Sequence, residues 1–234
     1  VNTPRYLDLP IGRFLDALSA TTPAPSGGGV AALAVAFAAG LCVMVAGLSV
    51  RDLPPRDHGP GAEAGTDAEA GTGAEAGLDA GAGLDAGAGL GAEAAPGAEA
   101  LAERARQLRD QVAPLAQADA EGYGAVLAAF RAGGRPGIQA ALSDACAVPM
   151  EVARIGAEVA GIAATLAAGG KASVRGDAIT AALLAAAGSR SAAALVRINL
   201  DGDTGLAGDA RPGEAQHLAA EAARLATEAE RTAR

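Results

Sequence analysis

Apolar positions recur along most of this chain at intervals of three and four, interrupted by glycine and proline, and that spacing predicts helices throughout. Ile11, Phe14, Leu15 and Leu18 define a first short amphipathic helix, with Pro10 at its first turn and an end near Ser19 to Thr22. Prolines 23 and 25 hold the approach to Gly27, Gly28 and Gly29 extended. From Val30 to Val50 follow 21 uncharged residues, nine of them Ala or Gly, predicted as a buried central helix. That length also suffices to cross a bilayer. The weak hydrophobicity of Ala and Gly, the lack of an aromatic belt and the absence of a comparable second stretch favour burial in the protein. Ala32, Ala36 and Gly40 form a small-residue stripe that lets a second helix approach closely.

Residues 51–60 break the pattern with three prolines, and a six-residue repeat then runs from Ala62 to Gly97 with only Leu78, Leu84 and Leu90 as bulky apolar residues. Glycine and acids at this density bury too little surface to offset the entropy of ordering. The expectation is one helical domain over residues 1–234, interrupted by a flexible, disordered insertion at about 52–97 with His58 solvated at its edge. Helical pattern returns with Leu101, Ala105, Leu108, Val112 and Leu115, and continues past a kink at Pro114 through ADAEGYGAVLAAFRA. After the turn AGGRPG, one helix covers Ile138 to about Val148. The next starts at Pro149, carries Val152, Ile155, Val159 and Ile162, and ends at Gly169 and Gly170. Another begins at Ala178, with Asp177 placed to cap it. A last one from Glu214 aligns Leu218, Ala222, Leu225 and Ala229, leaving His217 exposed. The predicted class is all-α, a bundle of long, Ala-rich packed helices.

Composition sharpens this. Aromatic residues are 2% of the chain and Trp is absent, so Ala, Leu, Val and Ile must build the core, which suits closely packed helices. The net charge of -9 is local: eight of the 27 acids fall in residues 61–100, which hold no Lys or Arg, leaving 19 acids against 18 bases elsewhere. A near-neutral remainder points to neither nucleic acid nor an anionic membrane. Cys42 and Cys146 lie in apolar helical stretches, as reduced buried thiols would, and Asp8 and Asp16 interrupt any signal-peptide pattern, so a cytoplasmic location is expected.

Three polar features remain for chemistry. The Gly27 to Gly29 run is either a tight turn or a loop whose amides, at a helix start, face a ligand. Asp119 and Tyr123 share a helix face that Glu121 does not, which suits proton transfer as well as a solvated acidic face. The loop KASVRGD gathers Lys171 and Arg175 before Asp177. Arg197, enclosed in sequence by Leu195, Val196, Ile198 and Leu200, calls for a carboxylate partner, from the chain or a ligand. Two scattered histidines and no close cysteine pair give no metal pattern, and the glycine run lacks the Lys and Ser or Thr of a nucleotide phosphate loop.

The run PAPSGGGVAALAVAFAAGLCVMVAGLS resembles the glycine-rich segment of the formiminotetrahydrofolate cyclodeaminase and methenyltetrahydrofolate cyclohydrolase family, of the form PxPGGGSAAALAGALGAALVxMVxxLT. FLDALSA, ADAEGYGAVLAAF, IQAAL with VPMEVA, GGKASVRGDAITAALL and LVRINL resemble the family's other blocks, in order. The resemblance implies an all-helical homodimer that binds a tetrahydrofolate derivative as substrate, with no tightly bound cofactor and no metal. It implies closure of a formimino group onto folate nitrogen 10 with loss of ammonia, or opening of the methenyl ring by water. On this resemblance Asp177 or Asp119 serves as the proton-transferring acid. Lys171, Arg175 or Arg197 meets the glutamate tail, and Ser26, Gly27, Gly28, Gly29 and Asn199 complete the substrate contacts. The chain departs from the family's pattern at Gly29 (usually Ser), Lys171 (Asn), Gly176 (Ser) and Leu195 (Asn). A noncatalytic folate-binding or helical interaction protein with a degraded site is the alternative.

Overall fold

The computed structural model describes residues 5–50, 97–200 and 208–233. The predicted repeat insertion and His58 lie outside these residues. Every regular element described is helical: α1 (Ile11–Leu18), α2 (Gly27–Val50), α3 (Ala98–Val112), α4 (Leu115–Ala132), α5 (Arg135–Ala145), α6 (Ala147–Gly169), α7 (Arg175–Leu200) and α8 (Arg211–Arg231), with 3-10 turns at Tyr6–Asp8 and Ala172–Val174.

Helices α2, α6 and α7 form the centre, with α3 against α2 and α6, and α8 against α6 and α7. The core they enclose is alanine with a few larger residues, of which Leu108, Ile155, Val35, Val45 and Val159 are fully buried. Such a core needs helix backbones in near contact, and glycines supply the space. A Cβ on Gly188 of α7 would stand 2.5 Å from Val35 Cγ2 and 2.9 Å from the Ala31 carbonyl oxygen on α2. One on Gly156 of α6 would stand 3.0 Å from the Ser189 Cβ. Ser189, fully buried between them, donates to the Ala153 carbonyl at 3.0 Å and so leaves no polar orphan. The expected stripe holds only in part, because Ala32 and Ala36 are buried whereas nothing lies within 4 Å of a Cβ on Gly40.

Several element boundaries differ from the sequence expectation. Pro114 separates two helices rather than kinking one: it cannot donate to the preceding turn, so α3 ends at Val112 and α4 starts at Leu115. Gly133 and Gly134, at φ 75° and 93°, make the α4–α5 turn. Helix α7 begins at Arg175, three residues earlier than expected, which puts Asp177 inside its first turn instead of at a cap. There the carboxylate faces the positive end of a 26-residue helix. Nor does residues 30–50 stand alone in apolar length. Stretches Gly27–Ser49, Arg135–Gly169 and Ala172–Leu200 are each long and apolar enough to cross a membrane by length and composition, and 56% of the first is buried inside the bundle.

Polar contacts at the surface tie neighbouring helices together. Arg104 of α3 forks onto Glu158 of α6, at 2.5 Å and 3.0 Å. Arg211 at the start of α8 holds Asp209 and reaches both the carbonyl and the hydroxyl of Ser143 on α5 at 2.8 Å. Cys42 and Cys146 are free and buried, and burial pushes the Cys42 thiol up to about 12.

Candidate functional site

The three glycines are the first turn of α2, not a loop preceding it, and none has positive φ. Their value is close approach. Asp119, projecting from α4, lays its carboxylate across this turn: Oδ2 accepts from the Ser26 hydroxyl at 2.9 Å and from the Gly29 amide at 3.0 Å. A helix start leaves amide hydrogens without partners inside the helix, and an anion there meets both those donors and the helix dipole. A Cβ on Gly28 would lie 2.6 Å from Oδ2 and nearer still to Oδ1, and one on Gly29 would lie 3.2 Å from the Ala116 carbonyl oxygen. Asp119 therefore belongs to the glycine run, correcting its reading as part of a solvated acidic face. Tyr123, its expected companion, is 41% exposed.

Beside this junction the N-terminal segment closes over α2. The Tyr6 amide donates to Gln117 Oε1 at 3.3 Å, and the Tyr6 and Phe14 rings meet edge to face, 5.5 Å apart. Burial, with the nearby Asp119 carboxylate adding to it, raises the Tyr6 phenol above its ordinary pKa. Together with Val30 and Phe37 they wall an apolar chamber of about 430 Å³. On the other side of Val30 and Ala34, a groove of about 470 Å³ separates α2 from α7, with Gly27, Ser191 and Leu195 among its lining. Sequence reasoning missed Tyr6, Phe14 and Ser191, although the eight-residue separation of the two aromatics in a chain so poor in them was available.

The remaining expected residues divide between the two ends of the bundle. Leu195 faces Gly27 across the groove, so the C-terminal turns of α7 share the glycine end. Arg197 is there but exposed on the helix surface, not enclosed, because neighbours at one residue's remove point to other faces. Asn199 is directed at the Cys146 thiol, whose pKa burial raises against the lowering effects of Arg211 and Asn199. The Lys171–Asp177 loop sits at the far end, where the Lys171 amide donates to Ser49 Oγ at 3.1 Å. Arg175 reaches the Thr232 carbonyl at 3.3 Å, and its Nε is buried without a hydrogen-bond partner. From Gly28 to Ser49 the rise along α2 is roughly 30 Å, so one protomer does not bring Asp177 to Asp119. Among the described residues no group of three or more His, Cys, Asp or Glu could hold a metal ion.

Comparison with known proteins adds to this geometry. The model of a family described as formiminotransferase-cyclodeaminase matches residues 10–58 and 70–205, which include every candidate residue named above at both ends of α2 except Tyr6. No curated protein matches the chain. Among solved structures, the formiminotetrahydrofolate cyclodeaminase of Thermotoga maritima is similar in fold, with a TM-score of 0.73 and 22% identity over 97% of this chain and 96% of that one.

Proposed function

This chain belongs to the formiminotransferase-cyclodeaminase family, and from that premise we propose that it acts on a one-carbon unit carried by tetrahydrofolate. The reaction is that of a formiminotetrahydrofolate cyclodeaminase or of the related methenyltetrahydrofolate cyclohydrolase. In the first, nitrogen 10 attacks the formimino carbon, a C–N bond forms, a proton passes to the departing nitrogen, and ammonia leaves as the methenyl bridge closes. In the second, water adds to the methenyl carbon and one C–N bond opens. Both pass through a tetrahedral carbon on nitrogen, and both need a group that moves protons and a pocket that holds a flat ring.

The observation that carries this reading is the Asp119 carboxylate, fixed at the start of α2 beside a chamber walled by Tyr6, Phe14 and Phe37. No tightly bound cofactor or metal enters the proposal. Asp177 takes part only if a second subunit supplies it. We therefore include a homodimer in which α2 pairs antiparallel with its copy, bringing the Lys171–Asp177 loop of one subunit to the glycine end of the other. The exposed apolar side chains of Met44 and Leu183, outside the chamber lining, support such a seam. The protein is proposed to work in the cytoplasm, off the membrane and without nucleic acid. The burial of half or more of each long apolar stretch within the bundle and the near-neutral charge outside residues 61–100 favour that.

The test is absorbance of 5,10-methenyltetrahydrofolate with purified protein, started from the formimino compound or from the methenyl compound. Growth of the band identifies the cyclodeaminase and decay above the uncatalysed rate the cyclohydrolase. Folate binding without turnover selects the noncatalytic reading, which the groove residue Leu195, standing where the family carries Asn, favours. Partition into the membrane fraction sinks the soluble part of the proposal.

A further inference from the structure

The chamber and the groove do not end at α7. Beyond Ala194, which lines the groove on one side, a third hollow of about 360 Å³ opens between α7 and α8 with Ala194 again in its wall. Arg190, Arg197 and Gln216 frame it, and small residues of α8 form its floor. Arg190, Ala194 and Arg197 are spaced by four and three and share one face of α7, so the alanine is a low saddle between two arginines. The residues lining this hollow include two cations and no carboxylate, whereas those lining the chamber include no charged group. From Leu184, in the chamber wall, to Arg197 the rise along α7 is about 20 Å.

We infer that the three hollows are one track for a single elongated ligand, with a flat ring in the chamber of Tyr6, Phe14 and Phe37 and a carboxylate-bearing tail over Ala194 at Arg190 and Arg197. The two ends select together. A wholly apolar ligand makes no use of Arg190, and a small anion leaves the aromatic chamber unused. A reduced pterin joined through a benzoyl group to glutamate meets both, with guanidinium groups suited to carboxylates in paired geometry. Arg190, Tyr6 and Phe14 thus become specificity-determining residues. The inference rests on the folate reading and extends it by assigning which part of the ligand lies where.

Calorimetric titration with two probes tests this: 5-formyltetrahydrofolate, and 5-formyl-6-methyltetrahydropterin, which lacks the benzoylglutamate. Arg190→Glu is expected to weaken 5-formyltetrahydrofolate on the order of tenfold, the effect of losing a charge-assisted contact, and to leave the pterin fragment within about twofold. Phe14→Ala is expected to weaken both probes without changing the oligomeric mass. If Arg190→Glu leaves the intact folate unaffected, or weakens both probes equally, the track is wrong while the folate reading stands. If Phe14→Ala dissociates the protein into monomers, the chamber is a subunit seat and the proposal falls. If the unaltered protein binds neither probe, the folate reading fails and the track with it.

Discussion

Gly28 and Asp119 compete for space that only one side chain can fill: a Cβ on Gly28 would lie 2.6 Å from Asp119 Oδ2, the atom that accepts the Gly29 amide. Gly28→Ala is therefore expected to displace the carboxylate and destabilise the fold by roughly 1–3 kcal/mol, the usual effect of overpacking. The double variant with Asp119→Ala should lose less than the two single losses summed, since the clash vanishes with the carboxylate. Urea unfolding measures this, and an unaltered midpoint in Gly28→Ala would show that Asp119 can swing aside freely.

Asp177→Ala is expected to abolish turnover and leave the helical circular dichroism signal unchanged, because Asp177 is a partly exposed first-turn residue of α7 and not a core group. Mixing unfolded Asp177→Ala and Asp119→Asn chains and refolding them together should restore about a quarter of the activity, as random two-fold pairing would give one intact site in each mixed dimer. If the mixture stays as inactive as its parents, the two carboxylates do not serve one site across subunits.

At the crossing of α2 and α7, Gly188→Leu would drive a side chain into Val35 and the Ala31 carbonyl. The expected loss is about 3 kcal/mol or more, read as a lower melting temperature. Half-buried Gly40, where nothing lies within 4 Å of an added Cβ, should take the same substitution with little change.

What the sequence made legible was the content of each helix and what it could not show was their relative placement. The stripe Leu101, Ala105, Leu108 and Val112 is buried as the spacing required. The pairing of Asp119 with Ser26 and Gly29 was not legible, because it joins residues about ninety apart and depends on the angle at which α4 crosses the start of α2. Helix starts were placed late because small and polar residues such as Arg175 and Gly176 carry no periodicity. The division of the candidate residues between two ends of α2 follows from its length, yet needed the antiparallel course of α7 to become visible.

Thiol chemistry gives a further check. Burial holds the Cys42 pKa at about 12 against an ordinary 9.0, so native protein should react negligibly with disulfide reagents at pH 8 while unfolded protein reacts at once. In the unfolded chain the thiol ionises first, so this contribution to stability is complete below pH 9 and lost as pH rises towards 12. Alkaline unfolding followed by circular dichroism should be less steep in Cys42→Ala.

The opposite sign applies at the start of α8. Hydrogen bonding from the Arg211 guanidinium, and then from its amide, holds Asp209 at about 2, below the ordinary 3.8. The contribution is present above pH 3.8 and lost as pH falls through 2. The protection of amides at the first turn of α8, taken as hydrogen exchange relative to the unfolded chain at the same pH, should therefore hold at pH 4 and fall below it, and Asp209→Asn should remove that dependence.

An alanine-built core also makes the molecule's tolerance of mutation one-sided. Alanine scanning, the usual way of finding what matters in a protein, is silent at most of its central positions, since alanine is what already stands there. The informative experiment is enlargement: substituting valine or leucine along α2, α6 and α7 would map, through the positions that refuse it, where backbone lies against backbone. Drift during evolution faces the same asymmetry, so change should accumulate on outward faces and in chain between helices, while the inner faces stay small.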